Sequence, residues 1–214
     1  MKVYFVRHGE GEHNVNNLYS GPQFNLTEKG RLQAKVISSR LASLPIDVII
    51  TSSYIRTQQT TEIINQKLNK KVVVSDLPIE LRRPTELVGK VISDEKSKEI
   101  RKKIDENFHL SEWHYSDEEN FYDLKKRVLE FLDYLSALEY ENVLVVSHIH
   151  FIRIAVLSMM LKEKLTSDIF LAGLSFLNME NSGLTVCEYL KNEWKLDTWN
   201  DISHLADQST GFDG

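Results

Sequence analysis

Four short apolar runs, rich in β-branched residues, alternate with longer segments of helical periodicity. The runs lie at 2–6, 47–51, 71–76 and 142–147. Because each run is almost continuously apolar, the pattern predicts strands covered on both faces, as in a parallel sheet between two helical layers. Two later runs, at 175–181 and 183–190, are separated by little more than a turn. They predict an antiparallel pair at one edge of the sheet.

Helical periodicity follows three of the four strands. The helical segments lie at 27–44, 54–68 and 151–161. In the first of them apolar side chains recur three and four residues apart, and Thr27 is the predicted N-cap. The order of elements is therefore strand, helix, strand, helix, which is typical of a parallel α/β sheet.

A long insertion, at roughly 82–140, separates the third strand from the fourth. Apolar residues at four-residue spacing, beginning with Ile100, predict a short amphipathic helix. Ser116 and Glu119 match a capping box, which predicts the start of a second helix that belongs to the main helical layer. The first part of the insertion, at 82–120, is a candidate lid.

These elements predict an α/β protein. The expected fold is a three-layer α/β/α sandwich with a mainly parallel central sheet, one antiparallel edge strand, and a helical insertion near the candidate active site. The length of 214 residues suits a single domain over 1–214. The polar tail from 206 to 214 is expected to fray.

Composition narrows the class of protein further. Acidic and basic residues are mixed along the chain and the net charge is −5, which argues against a nucleic-acid partner. The single cysteine, Cys187, excludes an intramolecular disulfide and is expected to be a small buried side chain. No targeting segment and no apolar stretch of ~20 residues is apparent. We therefore expect no membrane partner and a cytoplasmic location; the oligomeric state is left open.

Residues that could take part in binding or catalysis follow each predicted strand. They are Arg7, His8 and Gly9 after the first, Ser52 and Arg56 after the second, Glu80 after the third, and His148 after the fourth. The carboxyl ends of parallel strands lie at one edge of the sheet, where ligands bind. Several cationic groups in one crevice repel one another unless an anion lies between them. Arginine suits a phosphoryl group because its guanidinium donates two parallel hydrogen bonds.

Four blocks together resemble the histidine phosphatase superfamily, which contains cofactor-dependent phosphoglycerate mutases and many phosphatases. The blocks are "VRHGEGEHN", "NLTEKGRLQA", "TSSYIRTQQT" and "VVSHIHFIR". The resemblance covers residues 3 to about 70 and 142 to 156. It implies hydrolysis of a phosphomonoester without a metal or other cofactor.

By that resemblance His8 is the nucleophile and carries the phosphoryl group as phosphohistidine. This chemistry needs a neutral imidazole whose second nitrogen donates its proton to a fixed acceptor. Arg7, Arg56 and His148 are expected to bind the phosphoryl oxygens, His148 through an N–H that faces the phosphate. Gly9 is expected to allow a tight turn beside the ligand.

The acid and base of the reaction is expected to be a carboxylate. Glu80 is the candidate because the family takes this residue from the loop after the third strand. Glu86 is the second choice and Glu10 the third.

Further residues are assigned to substrate binding by the same resemblance or by position. Asn14 is either a donor to phosphate or an asparagine that caps its loop. Ser52 is either a phosphate ligand or a helix cap, and Ile149 is placed with the substrate-binding residues. His150 occupies a position where relatives commonly have glycine. A metal site at these histidines is disfavoured because two arginines would oppose a cation.

Two other functions stay open at this stage. A phosphoglycerate mutase would return the phosphoryl group to another hydroxyl instead of to water. A catalytically silent module would only bind phosphate or a phosphoprotein. The substrate is expected to be a small phosphorylated metabolite or a phosphoprotein, and its identity cannot be read from the sequence.

Overall fold

A computed structural model describes residues 1–206. Most of the tail that is expected to fray lies outside the described residues. The strands are β1 Lys2–Arg7, β2 Val48–Ser52, β3 Lys71–Ser75, β4 Asn142–Ser147, β5 Leu184–Leu190 and β6 Glu193–Asp201. The helices are α1 Glu12–Val15, α2 Glu28–Leu41, α3 Ile55–Leu68, α4 Glu95–Asn107, α5 Phe121–Ser136, α6 Ile149–Leu161, α7 Ser167–Phe176 and α8 Ser203–Ala206.

The six strands form one sheet in the order β3-β2-β4-β1-β5-β6. The first four strands in this order are parallel to one another, and β5 is antiparallel to both of its neighbours. The predicted fold class is confirmed: a mainly parallel sheet with an antiparallel pair at one edge.

Apolar side chains cover both faces of the central strands. On one face Phe5 and Val145 pack with the helices α5, α6 and α7, and on the other Val6 and Leu144 pack with α2 and α3. This is why β1, β2 and β4 are continuously apolar instead of alternating. The third predicted strand differs, because β3 lies at the edge of the sheet and Val74 is 54% exposed.

The antiparallel pair consists of β5 and β6, so the prediction of a strand at 175–181 was wrong. Ser175 and Phe176 end α7, and the chain then crosses the carboxyl end of β1, where Ser182 N donates to Arg7 O at 3.0 Å. The true partner strand follows a two-residue hairpin. Both hairpin residues, Lys191 and Asn192, have positive φ angles of 53° and 63°, as a tight turn between antiparallel strands requires.

The insertion forms the two predicted helices, but the predicted cap of the second was wrong. Asn120 is the N-cap of α5, and its side chain and that of Asp123 form the capping box. Glu119 instead turns inward and accepts from Arg127 Nε at 2.7 Å. The first helix, α4, buries Ile100 and packs beside the N-terminal loop rather than on the sheet. Motion of this segment as a lid, and a single domain over the whole chain, stay predictions.

The loop after β1 presses against the first turn of α2. A Cβ atom on Gly9 would overlap the carbonyl oxygen of Gly30, and a Cβ atom on Gly30 would overlap the carbonyl oxygen of Glu10. Thr27 caps this helix as predicted, since its Oγ1 accepts from Gly30 N at 3.0 Å. Two glycines therefore let the backbone that carries His8 approach the helix closely.

We expect Gly30→Ala to lower the free energy of unfolding by about 2 kcal/mol or more, as overpacking against backbone does. Alanine normally stabilises a helix by ~1 kcal/mol relative to glycine. A loss of stability in Gly30→Ala would therefore report the close contact and not helix propensity. The matched control is Gly173→Ala in α7, where the new methyl group meets only the movable side chains of Leu157 and Leu177. Urea denaturation of both variants measures the difference, and a stabilised Gly30→Ala variant would contradict this account.

Candidate active site

The register of the sheet brings the chemically capable side chains together. Arg7 pairs with Ser147 across β1 and β4. His8 and His148 each follow one residue later, and their ring centroids lie 5.1 Å apart. The parallel arrangement therefore places two histidines from distant parts of the chain at one point.

His8 is held in a single tautomer by two neighbours. Its Nδ1 lies 2.6 Å from the carbonyl oxygen of Gly9, and Arg56 Nε lies 3.0 Å from its Nε2. A guanidinium can only donate, so Nε2 is the acceptor and the proton is on Nδ1. The lone pair of His8 is therefore on Nε2.

His8 is also held neutral. Burial lowers the pKa of His8 well below its usual value, and the nearby charges of Arg56 and Arg7 lower this pKa further. A neutral imidazole is the nucleophilic form, because one ring nitrogen keeps a lone pair. The geometry thus meets the requirement for a histidine nucleophile that the sequence analysis set out.

Arg56 connects the two histidine rings. Its Nη2 lies 2.9 Å from His148 Nδ1, and it also donates to Ser20 Oγ at 2.8 Å, while Nη1 donates to Gly21 O at 2.7 Å. The Tyr54 ring lies 5.0 Å from its Cζ atom. Burial lowers the pKa of Arg56 to about 10, so the side chain keeps its charge at neutral pH.

His148 differs from the expectation that its N–H faces the phosphate. Because Nδ1 accepts from Arg56, the proton lies on Nε2, which donates to Ser52 Oγ at 2.9 Å. Burial and the charge of Arg56 lower the pKa of His148 well below its usual value. Ser52 is fully buried. It orients His148 and does not line the cavity.

A cavity of about 300 Å³ opens beside His8. It is lined by Arg7, His8, His13, Asn14, Asn17, Leu18, Tyr19, Ser20, Glu80, Leu81, Arg83, Ile92, Arg101, Ile149 and His150. Arg7 donates to the carbonyl oxygen of Met179 through Nη1. Its buried Nε has no acceptor within residues 1–206. Burial lowers the pKa of Arg7 to about 10, which leaves a charged donor at the cavity wall.

Glu80 is the carboxylate that faces this cavity. Its Oε1 accepts from Leu81 N at 2.9 Å and from His150 N at 3.2 Å, and it lies 3.2 Å from His150 Nδ1. Burial alone would raise the pKa of Glu80, but the His150 side chain, the backbone N–H of Leu81 and Arg56 together hold it below its usual value.

The two other candidate carboxylates lie elsewhere. Glu86 is exposed and lines a different cavity. Glu10 is 3.1 Å from Lys29 and accepts from Thr27 Oγ1 at 2.8 Å. Their positions favour Glu80 as the acid.

The loop that carries Glu80 is held by a residue that the sequence analysis did not select. Arg127 of α5 donates to the carbonyl oxygens of Leu77 at 2.6 Å and Ile79 at 3.0 Å, and its Nη2 lies 3.3 Å from Glu80 O. The guanidinium also pairs with the buried Glu119 at 2.6 Å. A helix of the insertion thus fixes the backbone position of the candidate acid.

The remaining predicted residues, Asn14, Ile149 and Gly9, differ in how they relate to the cavity. Asn14 lines the cavity, but its Oδ1 accepts from Gly11 N at 2.9 Å and its Nδ2 lies 3.1 Å from His13 Nε2. Both polar groups of Asn14 are therefore engaged in its own loop. Ile149, the first residue of α6, lines the cavity, and its contact with substrate stays a prediction. Gly9 has the close contact with α2 described above.

His13, for which no role was predicted, lies at the cavity wall with its ring 5.8 Å from that of His8. Asn181 was also missed: its Nδ2 donates to His8 O at 3.0 Å. Asn181 was missed because it lies in the segment that was predicted as a strand. In the structure this segment crosses the carboxyl end of β1 instead. His13 stands one residue before Asn14 in a block that had already been singled out.

Within residues 1–206, no group of three or more histidine, cysteine or acidic side chains is arranged to hold a metal ion. The helices of this part of the chain include none that is both long and apolar enough to cross a bilayer. Cys187 is fully buried, and burial raises the pKa of its thiol to about 12.

The sequence model of the histidine phosphatase superfamily (branch 1) matches residues 3–202. A probable phosphatase of Schizosaccharomyces pombe is 30% identical over 217 residues, which cover 99% of this chain and 98% of that protein. A probable phosphoglycerate mutase of Proteus mirabilis is 29% identical over 213 residues, covering 97% and 96%. Both phosphatases and mutases are thus similar over the full length of the chain.

Solved structures show the same fold. The crystal structure of a putative α-ribazole-5′-P phosphatase from Escherichia coli aligns with a TM-score of 0.82 at 20% sequence identity. The alignment covers 94% of this chain and 96% of that chain. At this identity the likeness establishes the architecture, and the chemistry depends on the residues of the site.

We expect the free energy of unfolding to fall as the pH falls below ~6.5. The unfolded chain protonates its histidines near that pH, whereas burial holds the pKa of His13 at about 3 and those of His8 and His148 well below normal. The unfolded state therefore binds more protons, and each ring contributes up to about 1.4 kcal/mol per pH unit.

Urea denaturation at pH 7, 6 and 5 measures this dependence. His13→Gln should reduce the slope by about one proton, while His109→Gln, at an exposed position, should leave it unchanged. A stability that is flat between pH 7 and 5, or an unchanged slope in His13→Gln, would contradict the buried neutral state of these rings.

Proposed function

Because the chain belongs to the histidine phosphatase superfamily, we propose that it is a phosphoric monoester hydrolase that forms a phosphohistidine intermediate on His8. One observation carries the proposal. His8 is a buried, neutral imidazole at the wall of a cavity, its ring lone pair is on Nε2, and the charges of Arg56 and Arg7 lie nearby. A phosphoryl group fits this combination because it is an anion with an electrophilic centre.

In the first step His8 Nε2 forms a bond to phosphorus as the ester P–O bond breaks. Glu80, protonated in the substrate complex, gives its proton to the leaving oxygen. The incoming phosphoryl group brings a like charge close to the Glu80 carboxylate, which disfavours its ionised form and so raises the pKa of Glu80 toward the value that this step needs. Arg7 contributes its unpaired Nε–H to the phosphoryl oxygens.

Arg56 plays two parts in this step. In the free protein it donates to His8 Nε2 and so fixes the lone pair. When Nε2 binds phosphorus, that N–H is released to a phosphoryl oxygen, and the transition-state charge is met by a donor that is already in place. His148 can join it as a donor once its Nε2–H exchanges Ser52 Oγ for the oxyanion.

In the second step water attacks the phosphohistidine. The Glu80 carboxylate accepts a proton from this water, the N–P bond breaks, and phosphate leaves. His8 and protonated Glu80 are thereby restored. The cycle is balanced without a metal or an organic cofactor.

The substrate that we propose is a small phosphorylated metabolite. The volume of about 300 Å³ lies at the small end of ligand pockets, and His8 is buried at its wall. A phosphoprotein would have to insert a whole side chain there, so it is the second choice. A cytoplasmic location stays a prediction.

Mutase activity is the alternative that a specific observation favours, since the Proteus mirabilis relative is named a probable phosphoglycerate mutase. The same intermediate would then transfer its phosphoryl group to a second hydroxyl. Incubation with 3-phosphoglycerate and 2,3-bisphosphoglycerate separates the two. Isomerisation without net release of phosphate would overturn the hydrolase proposal.

We expect His8→Ala to abolish turnover while the protein still folds, because the variant lacks the atom that bonds to phosphorus. A panel of phosphorylated metabolites identifies a substrate, and labelled substrate quenched in base should leave acid-labile label on the parent chain only. Turnover within tenfold of the parent would refute the role of His8. Release of no phosphate from any ester, with phosphate still raising the melting temperature, would instead indicate a silent binding module.

We expect Glu80→Gln to lower kcat on alkyl phosphates by about 10²–10⁴-fold, the usual contribution of a general acid. The loss should be smaller for p-nitrophenyl phosphate in the first step, because its leaving group needs no proton. Glu86→Gln, on an exposed side chain, is the matched control and should keep the parent rate. Equal losses in the two variants, or a loss in Glu86→Gln alone, would reverse the assignment of the acid.

A further inference from the structure

The cavity beside His8 contains a second group of arginines that the proposed chemistry does not use. Arg83, from the loop after Glu80, and Arg101, from α4, both line it. We call these two residues the outer arginine pair. They come from different parts of the insertion and line the same cavity.

The guanidinium of Arg83 is the first of the two to consider. No hydrogen bond or ion pair joins its guanidinium to any group in the described part of the chain, although the residue is half-buried. Burial lowers its pKa to about 10, and the charge of Arg101 contributes to this shift. A charged guanidinium that is partly desolvated beside a like charge is unfavourable unless an anion pairs with it.

Arg101 is only partly satisfied. Its Nε donates to Asp105 Oδ1 at 2.6 Å, one turn along the same helix. Asp105 is exposed and does not line this cavity. Within residues 1–206 the two terminal nitrogens of Arg101 have no acceptor, so they remain available to a ligand.

Charge in the cavity supports the same conclusion. Among the lining residues within 1–206, Glu80 is the single acidic side chain, against Arg7, Arg83 and Arg101. Arg7 and Glu80 lie with His8 and are used by phosphoryl transfer. The outer arginine pair therefore leaves positive charge in the wall that one phosphoryl group at His8 does not occupy.

We infer that the outer arginine pair binds a second anionic group of the substrate, a carboxylate or another phosphate. This inference rests on the proposed function. The preferred substrates are then small phosphorylated acids or bisphosphates, with only a few bonds between the two anionic groups, because both must fit in about 300 Å³. Guanidinium groups recognise both kinds of anion by paired hydrogen bonds.

The test compares two substrates that differ only in the second anion. 3-Phosphoglycerate and sn-glycerol 3-phosphate share a three-carbon skeleton, with a carboxylate in one where the other has a hydroxymethyl group. We expect the parent protein to favour 3-phosphoglycerate by about tenfold or more in kcat/KM, as a charge-assisted contact provides. Fructose 1,6-bisphosphate against fructose 6-phosphate tests a second phosphate in the same way.

Arg83→Met and Arg101→Met should each remove most of this preference. The matched controls are Arg82→Met and Lys102→Met. Arg82 is next in sequence, 55% exposed, paired with Glu119 at 3.4 Å and absent from the cavity wall. Lys102 is on the same helix as Arg101 and is 77% exposed. Both controls should keep the parent preference. The ratio of kcat/KM between the two substrates does not change when a variant merely contains less folded protein.

Calorimetric binding to His8→Ala gives the same comparison without turnover. Tighter binding of 3-phosphoglycerate than of glycerol 3-phosphate, lost on adding Arg83→Met, supports the inference. Equal binding of the two ligands, or a preference that survives both arginine substitutions, overturns it. Turnover without preference counts against the outer arginine pair alone, whereas an absence of turnover with the preference intact counts against the hydrolase proposal alone.

Discussion

The contact between Arg56 and the two histidine rings is the interaction on which the site depends. Arg56 is fully buried, and within residues 1–206 no carboxylate lies at ion-pair distance from it. Its hydrogen bonds go to a carbonyl, a hydroxyl and two imidazoles. A buried cation without a counter-ion is unfavourable. The arrangement is best explained as a site prepared for an anion.

The same contact sets the state of both rings. Because arginine can only donate, each ring must present a lone pair to it and place its proton on the other nitrogen. Burial and the guanidinium charge then keep both rings neutral. Charge, tautomer and orientation of His8 thus follow from one buried side chain.

The fold sets the positions of these groups. The parallel register aligns the ends of β1 and β4, two glycines let the loop of His8 approach α2, and Arg127 fixes the loop of Glu80.

The sequence predicted the parts of the fold that depend on burial. β1, β2 and β4 were recognised because both of their faces are covered, and α2 because it has one apolar stripe. β6 was missed because it is a half-exposed edge strand whose pairing depends on a left-handed turn at Lys191 and Asn192. The cap of α5 was placed at Ser116 instead of Asn120, since local patterns cannot show that Glu119 is needed by Arg127.

The residues of the candidate site also fall into two groups, those that could be predicted from the sequence and those that could not. Residues that directly follow strands, such as His8 and Glu80, could be selected because topology alone brings strand ends together. Hydrogen-bond partners could not, since they depend on side-chain directions. This is why Asn14 was considered as a phosphate donor, whereas the structure engages it with Gly11 and His13, and why Arg127 was overlooked. In the sequence Arg83 and Arg101 are only two of several basic residues in the insertion, and the fold places both in the lining of one cavity.

The central claim is that His8 is a neutral imidazole with its proton on Nδ1 and its lone pair toward Arg56. Nitrogen-15 NMR of histidine-labelled protein tests it directly, with the His8 signals assigned by their loss in His8→Ala. The account predicts a protonated Nδ1 and an unprotonated Nε2 that persist at pH 6, below the usual histidine pKa. A doubly protonated ring at that pH, or a proton on Nε2, would contradict it.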